Sequence, residues 1–243
     1  MRSSNMKTRR RALLPILYRD AFLAAIDKPS GLLVHRTRIA PDRVTAMNRL
    51  RDQLDRWVYP VHRIDRKTTG VLLFALDPET ARRLGEAFSE RAMRKVYLTV
   101  VRGWVLENGV IDHPLKDPSN GRKLEACSTY RRIGLVELPY PVGPYQTARY
   151  SMVAVEPQSG RWHQVRRHMR HIAHPVVGDS THGEIRQNRL FRDRVQVDAM
   201  LLHAARLEFS HPRWAHPVRL SAPLPDPFRK VCQRFGWPVD YPF

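Results

Sequence analysis

The six apolar residues at 71–76 constrain the fold more than any other feature of this chain, because they directly follow a short charged segment. A run of this length, bounded by Gly70 and by Asp77-Pro78, is typical of a buried β-strand. The charged segment, HRIDRKTTG at 62–70, is therefore predicted to be the loop that enters this strand. Because loops at strand ends often carry working side chains, we expect a functional site there.

Asp65 is the acid in that loop, and Arg63, Arg66 and Lys67 surround it. Cationic neighbours favour the ionised form of an acid, so Asp65 is expected to be a carboxylate at neutral pH. Such a group can act as a nucleophile or as a base. From this segment alone, a solvated basic loop with one compensating acid remains the alternative.

Strand-like and helix-like segments alternate irregularly along the rest of the chain. Helical spacing of apolar residues predicts helices at 43–56 and 78–91, and the absence of Gly and Pro from 161–172 predicts a third. Several connections have hairpin-like spacing, so we predict an α+β fold with a central mixed, mainly antiparallel sheet flanked by helices and loops. β-branched and aromatic residues predict further strands at 15–19, 21–27, 95–101, 148–156 and 201–209.

The 243 residues contain no Gly/Ser linker, internal repeat or low-complexity tract, which predicts one domain at 15–243. Residues 1–14 are predicted to be a basic, mobile N-terminal arm that either touches RNA or has no role. A second basic stretch, 112–144, contains several Pro and Gly and is expected to be either a mobile flap or a plain surface loop.

The charge of the chain indicates a polyanionic partner. Lys and Arg total 42 against 23 Asp and Glu, giving a net charge of +19, and only seven of the cations are Lys. Arginine pairs with phosphate and stacks on bases, which favours nucleic acid, although a GC-rich genome would also enrich arginine.

Two cysteines exclude a disulfide framework, and no apolar run is long enough to span a bilayer, so we expect a cytoplasmic protein with no membrane contact.

Five of the eleven histidines lie at 160–184, where a zinc site or a metal-dependent nuclease is the obvious alternative. No acid accompanies the helical pair His168 and His171, however, and neighbouring arginines oppose the binding of another cation. A phosphate-contacting helix is the better interpretation. One of its arginines could also pair with Asp65, and composition alone does not say which.

Six motifs follow one another along the chain: DKPSGLLVH (27–35), HRIDRKTTG (62–70), RKVYLTVVRG (94–103), GRWHQVRRHM (160–169), HPVVGD (174–179) and LLHAARLEFSHP (201–212). In sequence and in order they resemble the motifs of the RluA family of pseudouridine synthases. Two departures are modest: the family's HRLDxxTSG motif has Ile64 and Thr69 here. The segments at 147–157 and 166–189 are most similar to the branch of this family that modifies uridine 65 of tRNA, and no S4-type RNA-binding domain is expected before the catalytic domain.

The resemblance implies an enzyme that flips a specific uridine of tRNA out of its helix and isomerises it to pseudouridine. The alternatives are a synthase acting on ribosomal RNA and a non-catalytic RNA-binding protein with this fold. No cofactor, metal or obligatory protein partner is implied, and a monomer is expected. The implied catalytic residues are Asp65, Tyr97 and Arg166. The implied substrate- and RNA-binding residues are His62, Arg63, Thr69, Lys28, Arg161, His163 and Gln164.

Overall fold

The computed structural model describes residues 13–36 and 44–240. Within these residues the chain forms twelve strands and five α-helices, with a π-helical turn at Phe191–Val195. The strands are β1 (Ile16–Arg19), β2 (Leu23–Lys28), β3 (Tyr59–Pro60), β4 (Thr69–Ala75), β5 (Arg94–Arg102), β6 (Asn108–Asp112), β7 (Leu115–Lys116), β8 (Lys123–Leu124), β9 (Cys127–Leu138), β10 (Ala148–Pro157), β11 (Leu202–Ser210) and β12 (Pro217–Ser221). The helices are α1 (Ala46–Leu54), α2 (Pro78–Ser89), α3 (Gln164–His171), α4 (Ile185–Leu190) and α5 (Asp226–Phe235).

Ten strands form one sheet in the order β1-β2-β4-β11-β5-β10-β9-β6, with β12 added to β11 and β3 added to β4. β4 and β11 run parallel, and the other described pairs in this sheet are antiparallel. β7 and β8 form a separate hairpin. The predicted α+β fold with a mixed, mainly antiparallel sheet is confirmed.

β4 is buried along its whole length because apolar groups cover both of its faces. Leu72 and Phe74 pack with Leu50 of α1, whereas Leu73 packs with Leu84 of α2 on the other face. A strand covered on both sides reads as a continuous apolar run, which is the pattern seen in the sequence. The charged segment before it is consequently the loop that enters the middle of the sheet.

The helix starts follow their capping residues. Asp77 caps α2 by accepting a hydrogen bond from the Thr80 backbone N–H at 2.9 Å, and Pro78 occupies the first turn, where the predicted helix at 78–91 begins. α3 begins at Gln164, three residues later than predicted, because His163 adopts a left-handed backbone with φ of 52°. Within the described residues, no helix has the length and apolar character needed to cross a membrane.

The expectation of a flap or loop at 112–144 is wrong. This stretch contains β9, which pairs with β10 and with β6, and the β7–β8 hairpin. The strand was hidden because its exposed face carries charged residues such as Arg131, and because the several Pro and Gly of this stretch favoured a loop. Gly134 instead allows the Trp237 ring to pack against the strand, since a Cβ there would lie 2.4 Å from that ring.

The predicted arm at 1–14 lies outside the described residues except for Leu13 and Leu14. Leu14 is buried, its backbone N–H donates to Gln53 Oε1 at 2.8 Å, and its carbonyl accepts from Gln53 Nε2 at 3.0 Å. Leu14 therefore packs against the folded domain that the sequence analysis predicted at 15–243.

Candidate active site

Hydrogen bonds from Lys28 fix the loop that carries Asp65. The Lys28 Nζ donates to the carbonyls of Pro29 and Leu32 at 2.9 Å each and to that of Arg66 at 3.0 Å. The Gly31 backbone N–H also donates to the Arg66 carbonyl at 2.8 Å. These bonds tie the turn after β2 to the residue that follows Asp65.

Lys28 is fully buried, so the structure does not place it where RNA could touch it. Burial lowers the pKa of Lys28 to about 7, although the charges of Asp65 and Asp27 act in the opposite direction. The expectation of a direct RNA contact is replaced by a positioning role, because its three hydrogen bonds all go to loop carbonyls.

Arg166 joins Asp65 to a second carboxylate. Its Nη1 donates to Asp65 Oδ2 at 2.9 Å, while Nε and Nη2 donate to the two oxygens of Asp179 at 2.7 Å each. Burial raises the pKa of Asp179, but hydrogen bonds from Arg166 and from the backbone N–H groups of His182 and Thr181 outweigh it and lower the pKa to about 2. The bidentate pair holds the guanidinium plane rigid, so Arg166 presents Nη1 to Asp65 in one geometry.

His163 approaches the same oxygen of Asp65 as Arg166 does. Its Nε2 is 3.8 Å from Asp65 Oδ2, its Nδ1 is 2.9 Å from His182 Nε2, and the Trp162 ring stacks on it at 3.7 Å between centroids. Burial lowers the pKa of His163 to about 4, so the ring is neutral at pH 7. Because an N–H beside a carboxylate is favoured over a lone pair, we assign the His163 proton to Nε2, with His182 donating to Nδ1.

His62 and Tyr97 contribute uncharged rings to the same site. His62 Nε2 accepts from the Leu73 backbone N–H at 2.9 Å, and its ring stacks on Phe88 at 4.8 Å between centroids. Burial, followed by the charge of Lys95, lowers the pKa of His62 to about 3. Burial, followed by the negative charge of Asp65, raises the pKa of Tyr97 above its ordinary value, so the phenol stays protonated.

A pocket of about 350 Å³ opens above Asp65 and is lined by residues of the β3–β4 loop, β5 and α3. Its size is within the range of small-molecule sites, and groups of both polar and apolar character line it. Lys95, whose Nζ donates to the Ser159 carbonyl at 2.9 Å, adds a cation to the wall. Eight of the ten predicted site residues line this pocket: His62, Arg63, Asp65, Tyr97, Arg161, His163, Gln164 and Arg166.

Thr69 and Gln164 differ from the expectation of substrate contact. Thr69 Oγ1 lies 2.8 Å from His203 Nδ1, a bond that joins β4 to β11. Gln164 lines the pocket, but its amide oxygen accepts from the Ser159 hydroxyl and the Arg161 backbone N–H, and its nitrogen donates to the Cys127 carbonyl and to Ser128. The hydrogen-bonding groups of both side chains are therefore paired with other groups of the protein.

The sequence interpretation missed Thr68, Lys95 and Asp179. Thr68 lines the pocket, is 1% exposed, and its hydroxyl has no hydrogen-bond partner among the described residues. Lys95 and Asp179 lie inside motifs that the sequence analysis quoted, but no pattern marked them as neighbours of Asp65. Only the packing of β5 and of the segment after α3 brings them there.

The histidines of α3 have ordinary structural partners. His168 is buried, with Nδ1 3.0 Å from the Ser128 hydroxyl and Nε2 3.1 Å from the His113 carbonyl. His171 stacks on His113 at 3.7 Å between centroids. Across residues 13–36 and 44–240, no three His, Cys, Asp or Glu side chains are grouped so as to hold a metal ion.

The sequence matches the model of one protein family, and it is similar to proteins that share one name. The family model described as RNA pseudouridylate synthase matches residues 23–171, which include Asp65, Tyr97 and Arg166. The tRNA pseudouridine synthase C of Haemophilus ducreyi is 43% identical over 92% of this chain and 96% of that protein. The protein of the same name from Salmonella typhi is 40% identical over 93% of this chain and 91% of that protein.

Two solved human structures share the fold. Human RNA pseudouridylate synthase domain containing 1 superposes with a TM-score of 0.68 at 27% identity, covering 88% of this chain and 84% of that chain. Human RNA pseudouridylate synthase domain containing 4 gives a TM-score of 0.72 at 22% identity, covering 93% of this chain and 95% of that chain. The second likeness concerns the fold alone.

Proposed function

The chain belongs to the RNA pseudouridylate synthase family, and on that premise we propose that it converts one uridine of tRNA, uridine 65, to pseudouridine. The names of its relatives support tRNA as the substrate. The observation that carries the proposal is the carboxylate of Asp65, held by Arg166 in a pocket beside Tyr97.

The reaction needs no redox partner and no group donor. The bond from N1 of uracil to C1′ of ribose breaks, the base turns while it stays bound, and C5 bonds to C1′. The proton on C5 leaves and N1 acquires one, so the product is an isomer of the substrate. A pocket with a positioned carboxylate supplies what these steps require, and closing it around the nucleotide would exclude water.

Asp65 is proposed to be the essential carboxylate, which either attacks C1′ as a nucleophile or removes the proton from C2′ as a base. Both routes need a charged, aimed carboxylate. Arg166 orients the Asp65 carboxylate. Because Arg166 also pairs with Asp179, the three side chains together carry one net negative charge. Lys28 holds the backbone next to Asp65 in place.

Tyr97 is proposed to pack against the target base as a neutral phenol. Its raised pKa keeps the phenol protonated at neutral pH, so Tyr97 adds no charge to the pocket. The half-buried ring then helps to exclude solvent from the reacting sugar.

Flipping the uridine into the pocket leaves a gap in the RNA helix. Arg63 is exposed at the rim of the pocket, where its planar guanidinium can stack in the vacated position. Arg161, His62 and His163 line the walls that a flipped nucleotide would meet.

Residues 15–243 are proposed to act as a single catalytic unit, since one continuous sheet joins β1 at one end to β6 at the other. We propose a monomer that works in the cytoplasm, where a tRNA substrate would be met. Ribosomal RNA is the alternative substrate of the same chemistry, and the test must include it.

A tritium-release assay tests the proposal. Purified protein is mixed with tRNA or ribosomal RNA transcripts that carry tritium at C5 of uridine, and release into water reports the lost C5 hydrogen. We expect release from tRNA with wild type and with Asp52→Asn, an exposed control on α1, and none with Asp65→Asn. Release from ribosomal RNA alone would overturn the substrate, and release by Asp65→Asn would overturn the site.

A further inference from the structure

A second concave site lies on the outer side of α3, and we propose that it binds a backbone phosphate of the RNA substrate next to the flipped uridine. The site, here called the His-Arg pocket, is lined by His113, Leu115, Arg167, Arg170, His171 and His182. Its volume is about 310 Å³. The proposal rests on the proposed function, because it assumes that the bound nucleic acid is the one being modified.

The composition of the His-Arg pocket selects an anion. Two guanidinium groups and three imidazoles line it, and none of the lining residues is an acid. The nearby carboxylate, Asp179, already accepts hydrogen bonds on both oxygens from Arg166. The positive field is therefore not neutralised within the pocket, which disfavours a metal cation and favours phosphate.

The electrostatics of His113 support the same conclusion. Burial, followed by the positive charges of His171, Lys123 and Arg167, lowers its pKa below the ordinary value for histidine. No acid acts on His113 in the other direction among the described residues. An anion placed in this pocket would relieve the repulsion between the cations that surround it.

The walls of the pocket are fixed without a ligand. His113 and His171 stack at 3.7 Å between centroids, and the His113 carbonyl is 3.1 Å from His168 Nε2. Arg167 Nη1 donates to the Lys116 carbonyl at 3.0 Å, which ties α3 to the β7–β8 hairpin. Both described hydrogen bonds of Arg167 use Nη1 and go to carbonyls, those of Lys116 and Trp162, which do not cancel its charge.

His182 connects this pocket to the active site. It lines the His-Arg pocket, and its Nε2 lies 2.9 Å from His163 Nδ1, while the other ring nitrogen of His163 faces Asp65 at 3.8 Å. The two imidazole centroids are 5.1 Å apart. This short separation fits a phosphate that belongs to the flipped nucleotide or to its immediate neighbour, rather than to a distant part of the RNA.

The test combines one charge removed from the RNA with charges removed from the protein. Substrate RNA is synthesised with a single uncharged methylphosphonate at each phosphate flanking the target uridine, and affinities are measured for wild type and for Arg167→Gln/Arg170→Gln. The control, Arg229→Gln/Arg234→Gln, removes the same charge from exposed positions of α5.

We expect one methylphosphonate to weaken wild-type binding about 10-fold and to have no further effect on Arg167→Gln/Arg170→Gln, which itself binds unmodified RNA about 10-fold more weakly. The dependence of log Kd on log salt concentration should fall by about one unit in that variant. The α5 control should keep the wild-type response to the methylphosphonate.

Two results would overturn the assignment: equal sensitivity of wild type and variant at every flanking phosphate, or wild-type affinity in the variant. If the double variant does not fold, Arg170→Gln is used, because Arg170 is exposed. Product formation by wild type on unmodified RNA is scored separately. Its absence would count against the proposed function, whereas product without the methylphosphonate effect would count against the phosphate site alone.

Discussion

Arg166 and Arg167 are neighbours in the sequence, yet their guanidinium groups lie in opposite surroundings. Arg166 is buried between two carboxylates, and its N–H groups are fixed by Asp65 and Asp179. Arg167 lines a pocket without acids, and its described hydrogen bonds go to carbonyls. An arginine that is surrounded by acids therefore orients a reacting group. An arginine without acidic neighbours can instead attract an anion.

If this contrast is right, changes to Asp65 and to the residues that hold it should lower the turnover of bound RNA. Changes in the His-Arg pocket, on the outer side of α3, should instead weaken RNA binding. The largest effect is expected for Asp65→Asn, which keeps the shape of the side chain but removes its charge. We expect kcat to fall by at least about 10³-fold, because an essential group is lost.

Affinity for RNA should stay within about threefold of wild type, since a carboxylate contributes little to binding a polyanion. Single-turnover tritium release and filter binding measure the two quantities, with Asp52→Asn as the control. A parallel loss of affinity and rate would place Asp65 in binding and would erase the contrast.

Asp179→Asn should produce the next largest effect. Among the described residues, Arg166 would then retain Asp65 as its only charged partner and lose its fixed plane, so kcat should fall about 10²-fold with KM little changed. Removing one member of a buried ion pair should also lower the free energy of unfolding by about 3 kcal/mol. Urea unfolding and single-turnover kinetics measure both.

The contribution of Asp179 to stability depends on pH in a defined direction. Its pKa is lowered from 3.8 to about 2, so the folded state favours the ionised form. The stabilisation is complete above about pH 4 and is lost as the pH falls towards 2. The stability difference between wild type and Asp179→Asn should shrink over that interval, and a constant difference would contradict the assignment.

Thr69→Val should have a smaller effect, on stability alone. The variant removes the hydroxyl that lies 2.8 Å from His203 Nδ1, so the free energy of unfolding should fall by about 1 kcal/mol, although His203 Nε2 keeps its contact with the Ala222 carbonyl. The turnover of the folded enzyme should be unchanged, because the Thr69 hydroxyl is already paired within the protein. Urea unfolding and single-turnover kinetics measure both quantities, and a loss of turnover at unchanged stability would contradict this assignment.

The smallest effect is expected for Arg170→Gln on the outer side of α3. KM for RNA should rise about fivefold and kcat should stay within about twofold of wild type, because one phosphate contact is lost without any change at Asp65. Steady-state kinetics at two salt concentrations measure this. A fall in kcat with unchanged KM would remove the distinction between the two sides.

The sequence predicted the elements whose signals are local. The apolar run of β4 showed that the Asp65 loop enters a buried strand, and Asp77 followed by Pro78 marked the start of α2. The start of α3 could not be predicted, because the left-handed backbone of His163 depends on its contacts with Trp162 and His182. β9 was missed because tertiary pairing, rather than its own pattern, makes it a strand.

The roles of individual site residues depended on contacts between distant segments. The motif resemblance identified Asp65 and Arg166, but it did not distinguish Lys28, which is buried under the loop, from a residue at the surface. It also named Thr69 where the structure places Thr68 in the pocket. Two adjacent threonines on a chain entering a strand point to opposite sides, and only the packed sheet shows which side faces the pocket.

The most direct test of the account maps pseudouridine in total tRNA and ribosomal RNA by carbodiimide labelling and primer extension. The strains compared lack this protein or are complemented with wild type or with Asp65→Asn. The account predicts one stop, at tRNA position 65, that is lost in the deletion strain and restored by wild type alone. Restoration by Asp65→Asn, or no lost stop in any RNA despite confirmed expression, would contradict the claim that Asp65 performs this isomerisation.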